Sequence, residues 1–212
     1  MSAAVSIALL ERDEWPAVHF HDAGIEIVDG DRGKAYPSRL ELRNVGFCLF
    51  LNAKNVTKNG FVFDECEFIS EERDQLLRKG KLLRDDVVLT TRGTLGNVAH
   101  NDCSVPYKNM RINSGMVIFR CSSKAADPRF LYHFLRSPRF ARLIEKSRSG
   151  SAQPQLPIRT LSEFEFPLPV VEKQKEIAST LDRMALDIRA CNERLDGVQE
   201  MRSAFVARYL ER

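Results

Sequence analysis

The 212-residue chain lacks the signatures of a disulfide framework and of a structural metal site. Its five cysteines are odd in number and include no Cys-x-x-Cys pair, and its four histidines make no metal-ligand spacing with them. Disulfide-rich and zinc-stabilised folds are therefore excluded as interpretations. We expect free thiols, a reducing cytoplasmic location and no metal.

Long apolar runs are also missing, so nothing in the sequence predicts a membrane span or a membrane contact. Residues 1–10 are mildly apolar, but they lack a basic flank, and four charged residues follow directly at 11–14. This start predicts a short helix or a frayed end and not a signal peptide.

Catalytic motifs are scarce as well. The chain has no Gly-x-x-x-x-Gly-Lys-Ser/Thr loop, no Gly-x-Gly-x-x-Gly, no carboxylate two positions before a lysine and no Asn-Pro-Pro-Tyr or Asp-Pro-Pro-Tyr. His19, His21 with Asp22, and Cys103 could suggest catalysis, but alternating residues near a strand more often face solvent. We predict no catalytic residue and no cofactor bound by this chain.

Positive charge is concentrated in one segment. Residues 1–100 carry 13 basic and 16 acidic side chains, whereas residues 101–150 carry 10 basic and three acidic ones, a net charge of +7. A polar loop, "RSGSAQPQLPIRTL", follows at 148–161. The basic excess is typical of a solvated helix face or of a nucleic-acid-binding surface, and the loop of a linker or of a contact with a nucleic-acid backbone.

Short apolar runs separated by turns predict several strands. Residues 15–60 alternate such runs with turns such as Asn59-Gly60. The β-branched stretch 86–91 predicts a buried strand, and 111–120 predicts another. Between 86–91 and the next run, "RGTLGN" contains two glycines three residues apart, which indicates a tight turn.

Capping residues predict three helix starts in the first 150 residues. Ser70 precedes two carboxylates, which favours a helix that runs to about residue 79 and stops at Gly80. Asp127 and Ser137 each precede a proline, which is the arrangement of a capping side chain before proline at the first helical position.

A long helix follows "PLP" at 167–169. From 172 to about 210 there is no proline and a single glycine, and apolar residues recur every three or four positions. This pattern predicts a coiled-coil helix about 58 Å long that needs a partner helix. We therefore expect an α+β protein: a mixed α/β globular domain with a β-sheet core at 1–170, then a long spacer and dimerisation helix at 171–212. The expected homodimer interface comprises Ile177, Leu181, Met184, Ile188, Leu195, Val198, Met201 and Phe205.

Several stretches, in order along the chain, resemble the specificity subunit of type I restriction–modification systems. They are "WPAVHFHDAGIEIVDGDRGKAYPS", "LRDDVVLTTRGTLGNVA", "RINSGMVIFRC", "DPRFLYHFLRS" and "GSAQPQLPIRTLSEFEFPLPVVEKQKEIASTLD". Each is weak alone, but their order makes the resemblance specific. The chain departs from the family at Asp85-Asp86, where Gly-Asp is usual, and at Glu172-Lys173-Gln174, where Glu-Gln is usual. It also resembles half of such a protein, with one recognition domain and one spacer helix.

The resemblance implies a non-catalytic DNA-specificity module. The target recognition domain would read one half of a split site in double-stranded DNA, and its helix would pair antiparallel with an equivalent helix. A DNA adenine methyltransferase subunit would bind this assembly and carry S-adenosylmethionine. A motor–nuclease subunit would complete a restriction complex.

The resemblance also directs attention to polar residues that could contact DNA. Short donors in the 148–161 loop suit phosphates, and arginine or asparagine near the glycine turn suits base edges. The candidate DNA-binding residues are Lys54, Asn55, Lys58, Arg92, Thr94, Asn97, Lys108, Arg111, Arg148, Ser149, Ser151 and Gln153. Arg92 could instead pair with Asp85 or Asp86 and serve only the fold.

Two other functions stay open at the level of sequence. The chain could be an assembly protein whose helix docks a partner while the globule does not read DNA. It could also be a small hydrolase that uses His19 and His21 or Cys103. Salt-dependent DNA binding separates the specificity module from both.

Overall fold

The computed structural model describes residue 10, residues 15–147 and residues 155–210, and it has the expected α+β architecture. The strands are β1 (Ala17–His19), β2 (Ile25–Asp29), β3 (Cys48–Leu51), β4 (Val56–Thr57), β5 (Gly60–Phe61), β6 (Phe68–Ile69), β7 (Val87–Thr90), β8 (Val98–His100), β9 (Met110–Ile112), β10 (Met116–Cys121) and β11 (Glu165–Pro167). The α-helices are α1 (Glu71–Leu76), α2 (Pro128–Leu135), α3 (Pro138–Ser147), α4 (Ile158–Ser162) and α5 (Val171–Leu210). Two 3-10 turns occupy Arg39–Glu41 and Ala53–Asn55.

The centre of the domain is a four-stranded antiparallel sheet in the order β2-β10-β7-β8. Its two middle strands are buried on both faces, which explains their nearly continuous apolar sequence. Val87 and Leu89 pack in a core with α2, α3 and the start of α5, whereas Val88 and Ile118 pack in a second core against β3 and β9. The sheet is therefore a middle layer between helices and a smaller sheet.

The smaller sheet has the order β6-β3-β9, with β3 and β9 parallel. The prediction of a single strand over 111–120 was wrong, because β9 and β10 belong to different sheets. A turn separates them, in which the Asn113 side chain accepts a hydrogen bond from the backbone N–H of Gly115 at 2.9 Å. The polar stretch Asn113-Ser114-Gly115 is itself a turn signal, and the prediction of one continuous strand overlooked it.

Helix α1 begins as predicted, since the Ser70 hydroxyl accepts a hydrogen bond from the N–H of Arg73 at 3.2 Å. The helix ends at Leu76 and not near residue 79. The Arg111 guanidinium donates to the carbonyls of Asp74 at 2.7 Å, Leu77 at 3.0 Å and Lys79 at 2.7 Å. A cation from β9, a strand remote in sequence, thus satisfies carbonyls at and beyond the helix end that have no intrahelical partner.

The two predicted proline helices are confirmed. The Asp127 carboxylate accepts hydrogen bonds from the N–H groups of Arg129 at 3.0 Å and Phe130 at 3.1 Å at the start of α2. At the start of α3 the Ser137 hydroxyl accepts from the N–H of Phe140 at 3.2 Å. Phe130 and Phe140 are both fully buried, so the caps fix which face of each helix meets the sheet.

Helix α5 has 40 residues, about 60 Å at 1.5 Å per residue, and its first three turns are part of the globular core. Ile177 and Leu181 are 2% and 4% exposed, and Met184 packs against the same core. The expectation that Ile177 and Leu181 form a dimer interface is therefore corrected, because their own domain covers them, whereas Met184 is only partly covered. The helix begins at Val171, where the domain division was predicted. Because its first three turns complete the core of the domain, the division at residue 170 itself stays a prediction.

Polar contacts fix the same turns of α5 to α2. Asp182 binds the ring Nε2 of His133 at 2.8 Å and the guanidinium of Arg129 at 3.1 Å. The hydrogen bond from His133 and the charge of Arg129 lower the pKa of Asp182 below its usual value. Fully buried Gln174 accepts a hydrogen bond from the N–H of Asp127 at 2.8 Å, and its amide donates to the carbonyls of Ala125 and Pro169 at 2.8 and 2.7 Å.

We expect Gln174→Ala to lower the free energy of unfolding by about 2–3 kcal/mol, because it leaves one buried donor and two acceptors without their partner. Urea unfolding monitored by circular dichroism measures this change. The control is Glu200→Ala on the exposed part of the same helix, which should alter stability by less than about 0.5 kcal/mol. Equal effects of the two substitutions would contradict the anchoring role of Gln174.

Candidate nucleic-acid interface

The turn between β7 and β8 is closed by its own hydrogen bonds. The Thr90 hydroxyl accepts from the N–H of Asn97 at 3.0 Å and donates to the Thr94 carbonyl at 2.5 Å. Gly93 and Gly96 have φ angles of +72° and +83°, a conformation that favours glycine, so the predicted tight turn is confirmed. Arg92 and Thr94 are exposed at its tip.

The hairpin of β4 and β5 lies beside this turn. The Asn97 side chain donates to the Val56 carbonyl at 2.9 Å, which ties the turn to the hairpin. From the other side, Arg136 at the end of α2 donates to the carbonyl of Lys58 at 2.8 Å and lies over the Tyr132 ring at 5.0 Å. Lys58 itself is exposed.

A third segment, which begins at Gln155, contacts the chain beside the β7–β8 turn. Arg92 and Gln155 form an antiparallel backbone bridge, and the N–H of Leu156 donates to the Thr91 carbonyl at 3.0 Å. A cleft of about 190 Å³ lies here, lined by Arg92, Gln155 and Arg32 among others. We call the surface formed by Lys58, Arg92, Thr94, Arg136 and Gln155 the hairpin edge.

Four predicted loop residues, Arg148, Ser149, Ser151 and Gln153, lie outside the described residues. Both described neighbours of that loop belong to the same region. Helix α3, which ends at Ser147, packs near the turn, since a Cβ added to Gly96 would lie 3.3 Å from the side chain of Ile144. Gln155 is bridged to Arg92 on the hairpin edge. Ile144 and Gln155, which flank the residues outside the described ranges, thus both lie next to the β7–β8 turn.

Two predicted DNA contacts are corrected because the fold uses their side chains. Asn55 is 1% exposed, and its amide donates to the carbonyls of Val62 at 3.1 Å and Glu65 at 2.8 Å, which holds the base of the β4–β5 hairpin. Arg111 is 6% exposed and pairs with the carboxylate of Asp74 at 2.5 Å.

Asp74 is the centre of a buried charge cluster. Burial raises its pKa, but hydrogen bonds from Lys81 and Arg111 outweigh burial and hold the pKa of Asp74 below its usual value. Burial also raises the pKa of the neighbouring Cys48 thiol to about 12, so this cysteine stays protonated. The cluster stabilises the fold and offers no surface to DNA.

The remaining candidates differ in what surrounds them. Lys54 is exposed and forms an ion pair with Glu65 at 2.5 Å, which partly neutralises it. Asn97 is half-buried and acts as the tie to Val56 described above. Lys108 is exposed before β9 and, among the described residues, no hydrogen bond joins it to the hairpin edge.

The basic excess of residues 101–150 is smaller at the surface than in the sequence. Arg111, Arg120 and Arg129 pair with Asp74, Asp86 and Asp182, all outside that segment. Arg120 binds Asp86 at 2.7 Å, and among the described residues Arg92 forms no ion pair with Asp85 or Asp86. Arg136, which was not among the predicted DNA contacts, lies at the hairpin edge instead, and Arg32 lines the cleft beside it. Only contacts between distant segments could reveal them.

The residues considered for catalysis form no catalytic cluster. His21 pairs with Asp22 at 3.0 Å on the surface, where its side chain is 84% exposed. Cys103 is exposed, and all five cysteines are free. Across residue 10, 15–147 and 155–210, no three His, Cys, Asp or Glu side chains are grouped to hold a metal ion, and no helix could span a membrane.

Basic side chains at turns along one edge of a sheet define a surface suited to the phosphates of a polynucleotide. The family model of the type I restriction modification DNA specificity domain matches residues 25–199. The match covers most of the chain, so the protein belongs to this family of DNA specificity domains.

Individual relatives agree with the family. The C-terminal part of a putative type I specificity subunit from Mycoplasma pneumoniae is 30% identical over 116 residues, which are 55% of this chain and 72% of the relative. The EcoBI specificity subunit of Escherichia coli is 25% identical over 118 residues, 55% of this chain and 24% of that protein.

Solved structures share the fold. The HsdS subunit from Thermoanaerobacter tengcongensis superposes with a TM-score of 0.65 at 16% identity over 91% of this chain and 44% of that one. A chain from a study of type I R-M complex assembly gives a TM-score of 0.69 at 16% identity, over 97% of this chain and 47% of that one. The present chain thus spans about half the length of these structures.

We expect Arg111→Ala to lower the free energy of unfolding by about 3–5 kcal/mol, because it removes a buried cation that binds both the carboxylate of Asp74 and three backbone carbonyls. Arg92→Ala should change it by less than about 0.5 kcal/mol, since Arg92 has an exposed side chain without an ion pair among the described residues. Thermal and urea unfolding compare the two. A large loss of stability in Arg92→Ala would assign Arg92 to the fold.

Proposed function

We propose that this chain reads one half of a split double-stranded DNA site through the hairpin edge. The observation that carries the proposal is the convergence of Lys58, Arg92 and Arg136 on one edge of a domain that belongs to a DNA-specificity family. Arginine and lysine at turns suit phosphates and guanine edges. The rigid sheet behind them would fix their positions relative to the DNA.

Methylation and cleavage would be carried by partner subunits and not by this chain. A DNA adenine methyltransferase subunit would clasp the chain and bind S-adenosylmethionine, and a motor–nuclease subunit would complete a restriction complex. The names of the relatives, which are specificity subunits, support this division. Five free cysteines fit a reducing cytoplasm.

The chain would act as a homodimer through the outer part of α5. Beyond Met184 the helix leaves the domain, and the predicted interface residues there are more than half exposed: Ile188 is 51%, Leu195 55%, Val198 56% and Phe205 60% exposed. A row of this length is unusual on a monomer and typical of a helix that pairs with another. Met201 is exposed at the margin of the same row. The corrected interface therefore begins at Ile188.

We expect Ile188→Asp to convert the dimer into a folded monomer, because a carboxylate in the helix pair is costly to bury. Sedimentation equilibrium measures the mass, and circular dichroism confirms the fold. Leu181→Asp should instead destabilise the domain, since Leu181 lies in its core. If Ile188→Asp stays dimeric, the exposed apolar row from Ile188 to Phe205 is not the interface.

Binding to DNA should weaken as salt rises, with log affinity falling linearly against log salt, because lysine and arginine release counterions from phosphates. We expect Arg92→Ala to lose about 1–3 kcal/mol on the preferred site and less on random DNA if Arg92 reads a base. Fluorescence anisotropy with the methyltransferase present measures both.

Two comparisons sharpen this test. Replacing Ser149, Ser151 and Gln153 together by alanine should weaken binding to all sequences about equally, because phosphate contacts carry no direct sequence information. Lys124→Ala, on an exposed loop outside the hairpin edge, should leave binding nearly unchanged. A flat salt response would favour an assembly protein that does not read DNA.

A further inference from the structure

The outer part of α5, from residue 185 onward, restricts how two copies can align, and this inference rests on the homodimer proposed above. Its exposed apolar row follows a heptad pattern with two core positions. One is occupied by Ile188, Leu195, Arg202 and Tyr209, and the other by Cys191, Val198 and Phe205. One flank carries Asp187, Arg194, Met201 and Arg208, and the other carries the uncharged Ala185, Asn192, Gln199 and Val206.

A parallel pair is disfavoured by this arrangement. In parallel pairs each core position meets its own copy, so Arg202 would face Arg202 inside the interface. The two flanks would then meet each other, and Asp187 and Arg194 would face uncharged residues. No ion pair would offset the burial of two like charges.

In an antiparallel pair, the first core position meets the second, and like flanks face each other. One alignment places Gly197 beside the two-fold axis. Ile188 then meets Phe205 of the second copy, Leu195 meets Val198, and Arg202 meets only the small Cys191. Gly197 has no neighbour within 4 Å of an added Cβ, so nothing in its own chain blocks a close approach there.

Shifting the antiparallel pair by one heptad in either direction gives less favourable contacts. In one direction Phe205 would lie opposite Leu181, which the domain already covers, so the helix would run into the globule. In the other direction Arg202 would lie opposite Val198.

The charged flank selects the same alignment independently. With Gly197 at the axis, Asp187 faces Arg208 of the second copy, and Arg194 faces Met201. The first shifted alignment would place Arg194 against Arg194, and the second would place Arg194 against Arg208. Only the central alignment forms opposite-charge pairs, two of them by symmetry, and avoids like-charge contacts.

We propose that the antiparallel helix pair implied by the family resemblance has, in two copies of this chain, Gly197 at the two-fold axis and reciprocal Asp187–Arg208 ion pairs. The partner is a second copy of the same helix. Leu181, the last fully covered residue of the helix in each copy, then lies about 46 Å from its counterpart along the axis at 1.5 Å per residue. This register therefore fixes the distance between the two recognition domains.

Cysteine cross-linking tests the register with the full chain. Cys191 and Cys103 are the two exposed cysteines, so Cys103→Ser provides a parent with one exposed thiol. In that parent, Arg202→Cys places a thiol opposite Cys191 in the proposed register. Leu195→Cys and Tyr209→Cys do so in the two shifted registers. A short bifunctional thiol reagent should produce a covalent dimer with Arg202→Cys and much less with the parent or the other two variants.

Other results overturn the register. A covalent dimer mainly from Leu195→Cys or Tyr209→Cys indicates a shifted pair, and one from the parent indicates a parallel pair. A dimeric mass with no cross-link in Arg202→Cys also contradicts it. A monomeric parent would overturn the homodimer as well, whereas salt-dependent DNA binding tests DNA reading separately.

Charge reversal provides a second measurement. Asp187→Arg and Arg208→Asp should each weaken dimerisation by about three- to tenfold, and the double substitution should restore it, as expected for an exposed ion pair formed twice. Arg189→Asp and Glu193→Arg, on the face away from the stripe, are the matched controls and should have little effect. Failure of the double substitution to recover affinity would contradict the Asp187–Arg208 pair.

Discussion

The packing of the first three turns of α5 against the domain is the contact on which the other features depend. Ile177 and Leu181 are buried in the same core as the central sheet, and Gln174 and Asp182 bind α2. Apolar burial supplies the stabilisation, and the polar contacts fix the direction, because they are satisfied in one orientation only. The projecting helix therefore extends from the core as one body with the hairpin edge. Any distance set at the outer end of the helix is transmitted to the domain.

The hairpin edge shows how a rigid scaffold can present exposed polar side chains. Its backbone is held by Thr90, by the tie from Asn97 to Val56 and by the bridge between Arg92 and Gln155. The polar side chains that do this holding are half-buried or covered, while those of Lys58, Arg92 and Thr94 remain exposed. Buried polar groups need hydrogen-bond partners, so the polar side chains inside this edge bind the backbone. The exposed ones remain available to a ligand.

The similarity to HsdS at 16% identity indicates which properties the family fold requires. The two-sided burial of the sheet needs apolar residues but not particular ones, so the fold tolerates wide sequence change. At residue 85 the backbone has φ of +68°, where glycine, the usual family residue, is unstrained. Aspartate tolerates this conformation better than most residues, which is why the departure from Gly-Asp is compatible with the fold.

The sequence by itself determined the elements with local causes. Ser70, Asp127 and Ser137 marked helix starts, because a cap needs only the next three residues, and the glycines of "RGTLGN" marked the turn. The heptad stripe identified the long helix. Only the tertiary structure decided which polar residues bind other groups inside the fold and which apolar residues remain exposed. Arg111 meets α1, and Ile177 and Leu181 meet their own domain, through contacts between segments far apart in the chain. Local patterns cannot distinguish an arginine that binds a buried carboxylate from one that faces solvent, because burial is a property of the packed chain.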